Sequence, residues 1–256
     1  MFAAQDSTGL PQTDGHSDEK PIIVPDQVSD LGFELFLSVC YNKWRPDTSQ
    51  ASETTLLQLL ELSRMYESKD VREHAIKQLA SRRYTIKPIT LISIALKYHI
   101  KDIFCYAFRR LIPKPINELN HADYELLTVP VWMTLLRVKE RLELHRRIVA
   151  CEPPPMVHSP CCQDHKRCVD DWRQVWWNGM GRYLLDGRSP QPYNSAVKQF
   201  EGLSYGSVDP ECWRVMLALV KEGKAFQHED DLIYRTARGL AEYLIHEPFF
   251  GDDIDM

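Results

Sequence analysis

The segment from Ala150 to Trp177, ACEPPPMVHSPCCQDHKRCVDDWRQVWW, limits what this chain can fold into more than any other. It holds four of the seven cysteines, two of the nine histidines and three of the six tryptophans, beside a Pro-Pro-Pro run. Proline fixes φ and removes a backbone donor, so regular structure is interrupted there. Sulfur and imidazole gathered at such an interruption point to a cross-link made by side chains. In a reducing compartment clustered cysteines more often bind metal than pair as disulfides.

The spacing defines the candidate ligands. Cys162, His165 and Cys168 read C-x2-H-x2-C, and Cys161 offers an alternative four residues before His165. If Pro160 starts a helix, Cys161, His165 and Cys168 fall at i, i+4 and i+7 on one face. Cys151, across the proline run, is placed to close a tetrahedron from outside that helix. The candidate set is therefore Cys151, Cys161, Cys162, His165 and Cys168, four at a time, with Cys161 and Cys162 as alternatives. Cys3His is a common closed zinc set, so structural Zn2+ is the expected cofactor. Such a site stabilises folding directly, because the open chain does not preassemble its ligands. Buried thiols in a helical core are the competing reading, and a disulfide is a third. His158 is a spare ligand, read as an exposed loop residue.

Composition narrows the class. The 256 residues suffice for one large or two small domains, and only 11 of them are glycine, which disfavours a sandwich, a barrel or a Gly-rich nucleotide fold. A net charge of -5 gives no overall basic surface, so nucleic acid is not an expected partner. The first residues lack a basic region followed by an apolar run, and no window approaches a membrane span of about 18 apolar residues. An intracellular protein, cytoplasmic or nuclear and away from the membrane, is the expectation.

The rest of the chain reads as helices. Residues 1–27 are polar and are expected to be a disordered leader. From Val28 to Tyr41, Phe33, Phe36, Leu37 and Cys40 recur on one helix face, with Ser29 or Asp30 as cap. The leucines from Leu56 to Leu62 and the capping-box pattern of Asp70 and Glu73 predict a helical hairpin. Pro88 opens a further helix and Asp102 begins the next. The long helix near 130–151 presents Val131, Leu135, Val138, Leu142, His145 and Val149 to a core, with Glu143 and Arg147 paired outside. Helices around 169–186, 194–203, 210–222 and 228–245 follow, then an acidic tail at 251–256. The expected fold is all-α, an irregular helical array with a Cys/His knot between two helical halves.

Several of these strings resemble one family. FELFLSVCY, LLQLLELSRMYESKDVREHAIKQLA and PITLISIALKYHI resemble the C-terminal helical part of fungal BTB/POZ-domain proteins. HRRIVACEPPP, CCQDHKRC, WWNGMGRYLLDGR, PQPY, FEGLSYG and KAFQHED resemble the long helical extension of one fungal subgroup, and the likeness runs from about Val28 to Leu244. The β-containing BTB half is expected to be missing ahead of these helices, so the hairpin at 54–83 is read either as a BTB remnant or as part of a BACK-like module. The resemblance implies a BTB-C-terminal-like hairpin at 28–85 and a BACK-like region at 86–150. The knot with its Trp-rich helix then covers 151–180, and a C-terminal helical region covers 181–250. It also implies a protein partner, with a cullin-ligase substrate adaptor or a transcription-associated scaffold as alternatives, and leaves homodimerisation open.

Three other signals bear on function. The string Gly202-x-Ser204-x-Gly206 is the one enzyme-like motif, and Asp230 with His246 completes a Ser, Asp, His order on paper. A hydrolase elbow needs a strand before the serine, and a helix is predicted there, so a plain inter-helix turn is the expectation. Arg137, Lys139, Arg141, Arg146 and Arg147 are read as a solvated face of the long helix. Trp172, Trp176 and Trp177 are read as core. The chain is thus expected to be a non-enzymatic interaction protein with no catalytic residues.

Overall fold

The structure is a computed structural model and describes residues 28–41, 52–186, 191 and 193–245. The fold is all-α, with no strand among the described residues. The chain divides at Arg82/Arg83 into two compact units. The Cys/His segment lies wholly within the second unit and not at this division. The expected leader, the acidic tail, His246 and most of the proline loop at 187–192 lie outside the described residues.

The first unit holds three helices packed on one another, α1 (Asp30–Tyr41), α2 (Glu53–Met65) and α3 (Lys69–Ser81). Ser52 caps α2, its hydroxyl accepting from the Thr55 N–H at 3.1 Å. Leu56, Leu59, Leu60 and Leu62 are buried, which makes α2 the centre of this unit. Val71, Ala75 and Leu79 of α3 pack at i, i+4 and i+8, as the periodicity predicts. Two expectations need correction. The face of α1 turned inward is Gly32, Leu35 and Phe36, whereas Leu37 and Cys40 are exposed. The capping box of Asp70 and Glu73 does not form, because the helix starts two residues earlier, with Ser68 and not Asp70 at the N-cap position.

In the second unit Pro88 occupies the first turn of α4 (Pro88–Lys97), where its missing N–H costs nothing. This helix pairs with α5 (Lys101–Leu111), burying Ile103, Phe104, Ala107 and Phe108. A 3-10 turn at Ile116–Glu118 leads to α6 (His121–Leu126), opened by a true capping box of Asn120 and Asp123. The long α7 (Val129–Cys151) buries Val131, Leu135, Val138 and Leu142, as read from the sequence. His145 and Val149 are half-buried. At the other end of the chain α12 (Lys224–Leu244) packs on both α5 and α7. One ion pair fixes this contact: the Arg146 guanidinium donates to both Glu229 carboxylate oxygens at 3.0 and 3.2 Å. Glu229 is buried, so the bidentate geometry satisfies a charge that burial would otherwise penalise.

The remaining helices build an aromatic core. They are α8 (His165–Trp176), a π-helical segment at Trp177–Gly181, α9 (Arg182–Leu184), α10 (Tyr193–Glu201) and α11 (Pro210–Lys221). Trp172, Trp176, Phe200 and Trp213 meet with ring centroids 5.3–6.0 Å apart, mostly edge to face. Their polar handles are satisfied. The Trp172 indole donates to the Pro154 carbonyl at 3.0 Å and that of Trp176 to Ala150 at 3.1 Å. Trp177, expected in the core with them, is 52% exposed. It directly follows Trp176 and so lies about 100° round the helix from the buried face of Cys168, Trp172 and Trp176.

Gly179 lets α10 approach the π-helical segment. A Cβ there would lie 2.6 Å from both Leu203 Cδ1 and Phe200 Cδ2. Both neighbours belong to the packed core or its margin, so neither can move freely. Gly179→Ala is expected to destabilise the protein by about 1–3 kcal/mol, read as a lower urea midpoint at unchanged slope. An unaltered midpoint would contradict the close packing described.

Candidate metal centre

The strap between α7 and α8 carries the proline run and is not helical. The helix expected from Pro160 starts at His165, because Asp164 is its cap, accepting from the Arg167 N–H at 3.0 Å. This delay decides which sulfurs face inward. Ser159 is buried, its carbonyl accepts from the Cys162 N–H and its hydroxyl from the Cys161 N–H, both at 3.1 Å. The turn so formed leaves Cys161 exposed and brings Cys162 inward, half-buried. Cys168 lies one turn into α8 and is buried.

A second helix start meets this turn. Asp209 caps α11 by accepting from the Glu211 and Cys212 N–H groups at 3.0 and 3.1 Å. Cys212 is fully buried. The N–H of Ser159 donates to its sulfur at 3.1 Å, and the N–H of Val157 donates to Met216 Sδ at 3.2 Å. The strap is therefore laid along α11 by backbone N–H groups that point at sulfur. His158 follows from this, half-buried, with Nδ1 3.9 Å from Cys212 Sγ.

One ligand atom from each of His158, Cys162, Cys168 and Cys212 lies within 4.8 Å of every other, and this group could hold a metal ion. A tetrahedron with metal–sulfur bonds of about 2.3 Å has edges of about 3.8 Å. The four atoms thus need to close by about 1 Å or less, within the reach of side-chain rotation. Without an ion the Cys168 and Cys212 thiols hold their protons. Burial pushes Cys168 up, and it pushes Cys212 up to about 12. A divalent cation reverses this balance by replacing the protons as the positive charge between the sulfurs. Asp209 and Ser159 supply backbone N–H groups to Cys168 and Cys212, each favouring the thiolate.

The five sequence candidates separate. Cys162 and Cys168 are in the group, whereas Cys151, Cys161 and His165 lie outside it, and Cys151 and Cys161 are exposed. His165 instead stacks flat on His158, ring centroids 4.1 Å apart and planes 10° from parallel, covering the outer face of the imidazole. The missing members are His158, taken for an exposed loop residue, and Cys212. Cys212 lies 44 residues beyond Cys168, and its one local signal is its place just inside a helix start after Asp209-Pro210.

The other signals have simpler roles. Ser204 is exposed on a turn between α10 and α11, and Gly206 supplies a positive φ of 59° there. The basic side of α7 is partly internal. Lys139 donates to the Ile112 and Lys114 carbonyls at the end of α5, and burial and Arg146 lower its pKa. Arg146 holds Glu229, and Arg147 pairs with Glu143 as expected. No described helix is long and apolar enough to cross a membrane. Comparison of the chain with protein-family models, with curated proteins and with solved structures finds no match.

The ligand set makes a direct prediction. Cys212→Ser and His158→Ala should each cost the purified protein its stoichiometric metal, as measured by elemental analysis. Cys151→Ser, Cys161→Ser and His165→Ala should keep it. The reverse pattern would restore the set expected from spacing alone.

Proposed function

We propose that this chain is a non-enzymatic protein–protein interaction scaffold whose second unit is locked by one structural Zn2+. His158, Cys162, Cys168 and Cys212 hold the ion. The observation that carries this reading is the closed donor set: four ligand atoms from one chain converge within 4.8 Å. Catalytic zinc sites keep a position for water or substrate, and structural ones fill all four with protein ligands. Three thiolates and an imidazole suit zinc, while hard cations such as Mg2+ and Ca2+ prefer oxygen.

The ligands come from the strap, α8 and α11. An ion at their meeting point fixes the strap over the aromatic core at Trp172 and Trp213, and its binding free energy becomes folding free energy. The helices so fixed present exposed faces suited to surface recognition. The BTB-type resemblance of the hairpins and their extension supports the same reading, with another protein as the partner class. Ser204 adds little to a hydrolase reading, because helix and turn surround it.

Metal removal tests the proposal. A strong chelator should lower the stability of the second unit by about 4 kcal/mol where the free ion had stood 1,000-fold above its dissociation constant. Thermal unfolding should show a lower midpoint, restored by one equivalent of Zn2+ and not by Mg2+. A midpoint indifferent to the chelator, in protein shown to have lost its metal, would remove the structural role.

A further inference from the structure

The outward face of α7 carries a pattern that the metal centre does not explain. Val129, Met133, Leu144 and Ile148 are 75%, 43%, 58% and 49% exposed, although large and apolar. Arg137 and Glu140 lie between them, exposed, with no ion-pair partner among the described residues. At 3.6 residues per turn these six positions share about 100° of the helix circumference. The face that packs inward, Val131, Leu135, Val138 and Leu142, is a different one. The six outward positions are spaced 4, 4, 3, 4 and 4, a run built on the 4-4-3 step of an 11-residue repeat and not on the heptad, so they stay together as one nearly straight stripe.

The stripe reads the same in both directions. About the midpoint between Val138 and Lys139, Val129 mirrors Ile148, Met133 mirrors Leu144, and Arg137 mirrors Glu140. Two copies of α7 laid antiparallel across a two-fold axis therefore match apolar to apolar at both ends. At the centre they form two reciprocal Arg137–Glu140 pairs. A parallel pairing would instead set Arg137 on Arg137 and Glu140 on Glu140, which repel. An isologous interface needs this self-complementarity, and an unrelated partner does not.

We propose that the chain forms a homodimer through antiparallel packing of this face of α7 on that of a second copy. The seam from Val129 to Ile148 runs about 28 Å along the helix. The Arg137–Glu140 pairs set orientation and register, and the four apolar residues supply the contact. The interface lies apart from the metal ligands, so dimer formation and metal content vary independently.

Sedimentation of the full chain at micromolar concentration tests this. The wild type is expected at twice the chain mass of 29.8 kDa. Arg137→Glu and Glu140→Arg alone should each weaken the dimer about tenfold or more, since each sets like charges face to face twice. Arg137→Glu combined with Glu140→Arg should return to within about threefold of wild type, because the pairs are rebuilt with signs exchanged. Leu144→Glu should give monomer. Unchanged helical content and metal stoichiometry in every variant show that the fold is retained. A wild type monomeric up to about 100 μM, a dimer that survives Leu144→Glu, or a charge swap no better than its single variants would each overturn the proposal.

Discussion

The meeting of the strap, α8 and α11 depends on how three sulfurs and one imidazole are brought together at the edge of an aromatic core. The core supplies the platform. Trp172 and Trp213 fix α8 and α11 side by side, so the first turns of these helices, with Cys168 and Cys212, lie next to each other. The strap supplies the other two ligands, held by backbone N–H bonds to Cys212 and Met216. Packing alone assembles the donors, but it leaves the buried Cys168 and Cys212 thiols crowded together and protonated. In the proposed holo state an ion turns that crowding into four metal bonds.

Helix starts determine the geometry more than helix faces do. Asp164 and Asp209 each cap a helix whose first turns carry one cysteine, and each cap fixes where the sulfur emerges. Had α8 begun at Pro160, Cys161 would have pointed inward in place of Cys162. Such capping places side chains by about 100° of rotation per residue, so a shift of a few residues changes the ligand set entirely. The stacked pair of His158 and His165 has the same origin, since His165 is the first residue of α8 and lies over the strap.

These relations explain what the sequence does and does not disclose. The helical class, the inward face of α7 and the proline opening of α4 are legible, because they follow from local periodicity and backbone restriction. The concentration of cysteines also marks the right neighbourhood, and its spacing includes Cys162 and Cys168. Cys212 is not legible, because its proximity depends on α10 and α11 folding back over α8, a matter of tertiary packing. The inward face of α1 is not legible, because Leu37 and Cys40 fit the period yet stay exposed, while Gly32 permits close approach to α2. Trp177, read as core with its neighbours, lies outside it because it falls one residue, about 100°, past the inward face of Cys168, Trp172 and Trp176.

The most direct test of the central claim is X-ray absorption at the zinc edge of the purified, unmodified protein. The account requires one zinc per chain with three sulfur neighbours near 2.3 Å and one nitrogen near 2.0 Å. A metal-free protein, or a first shell dominated by oxygen, would contradict it.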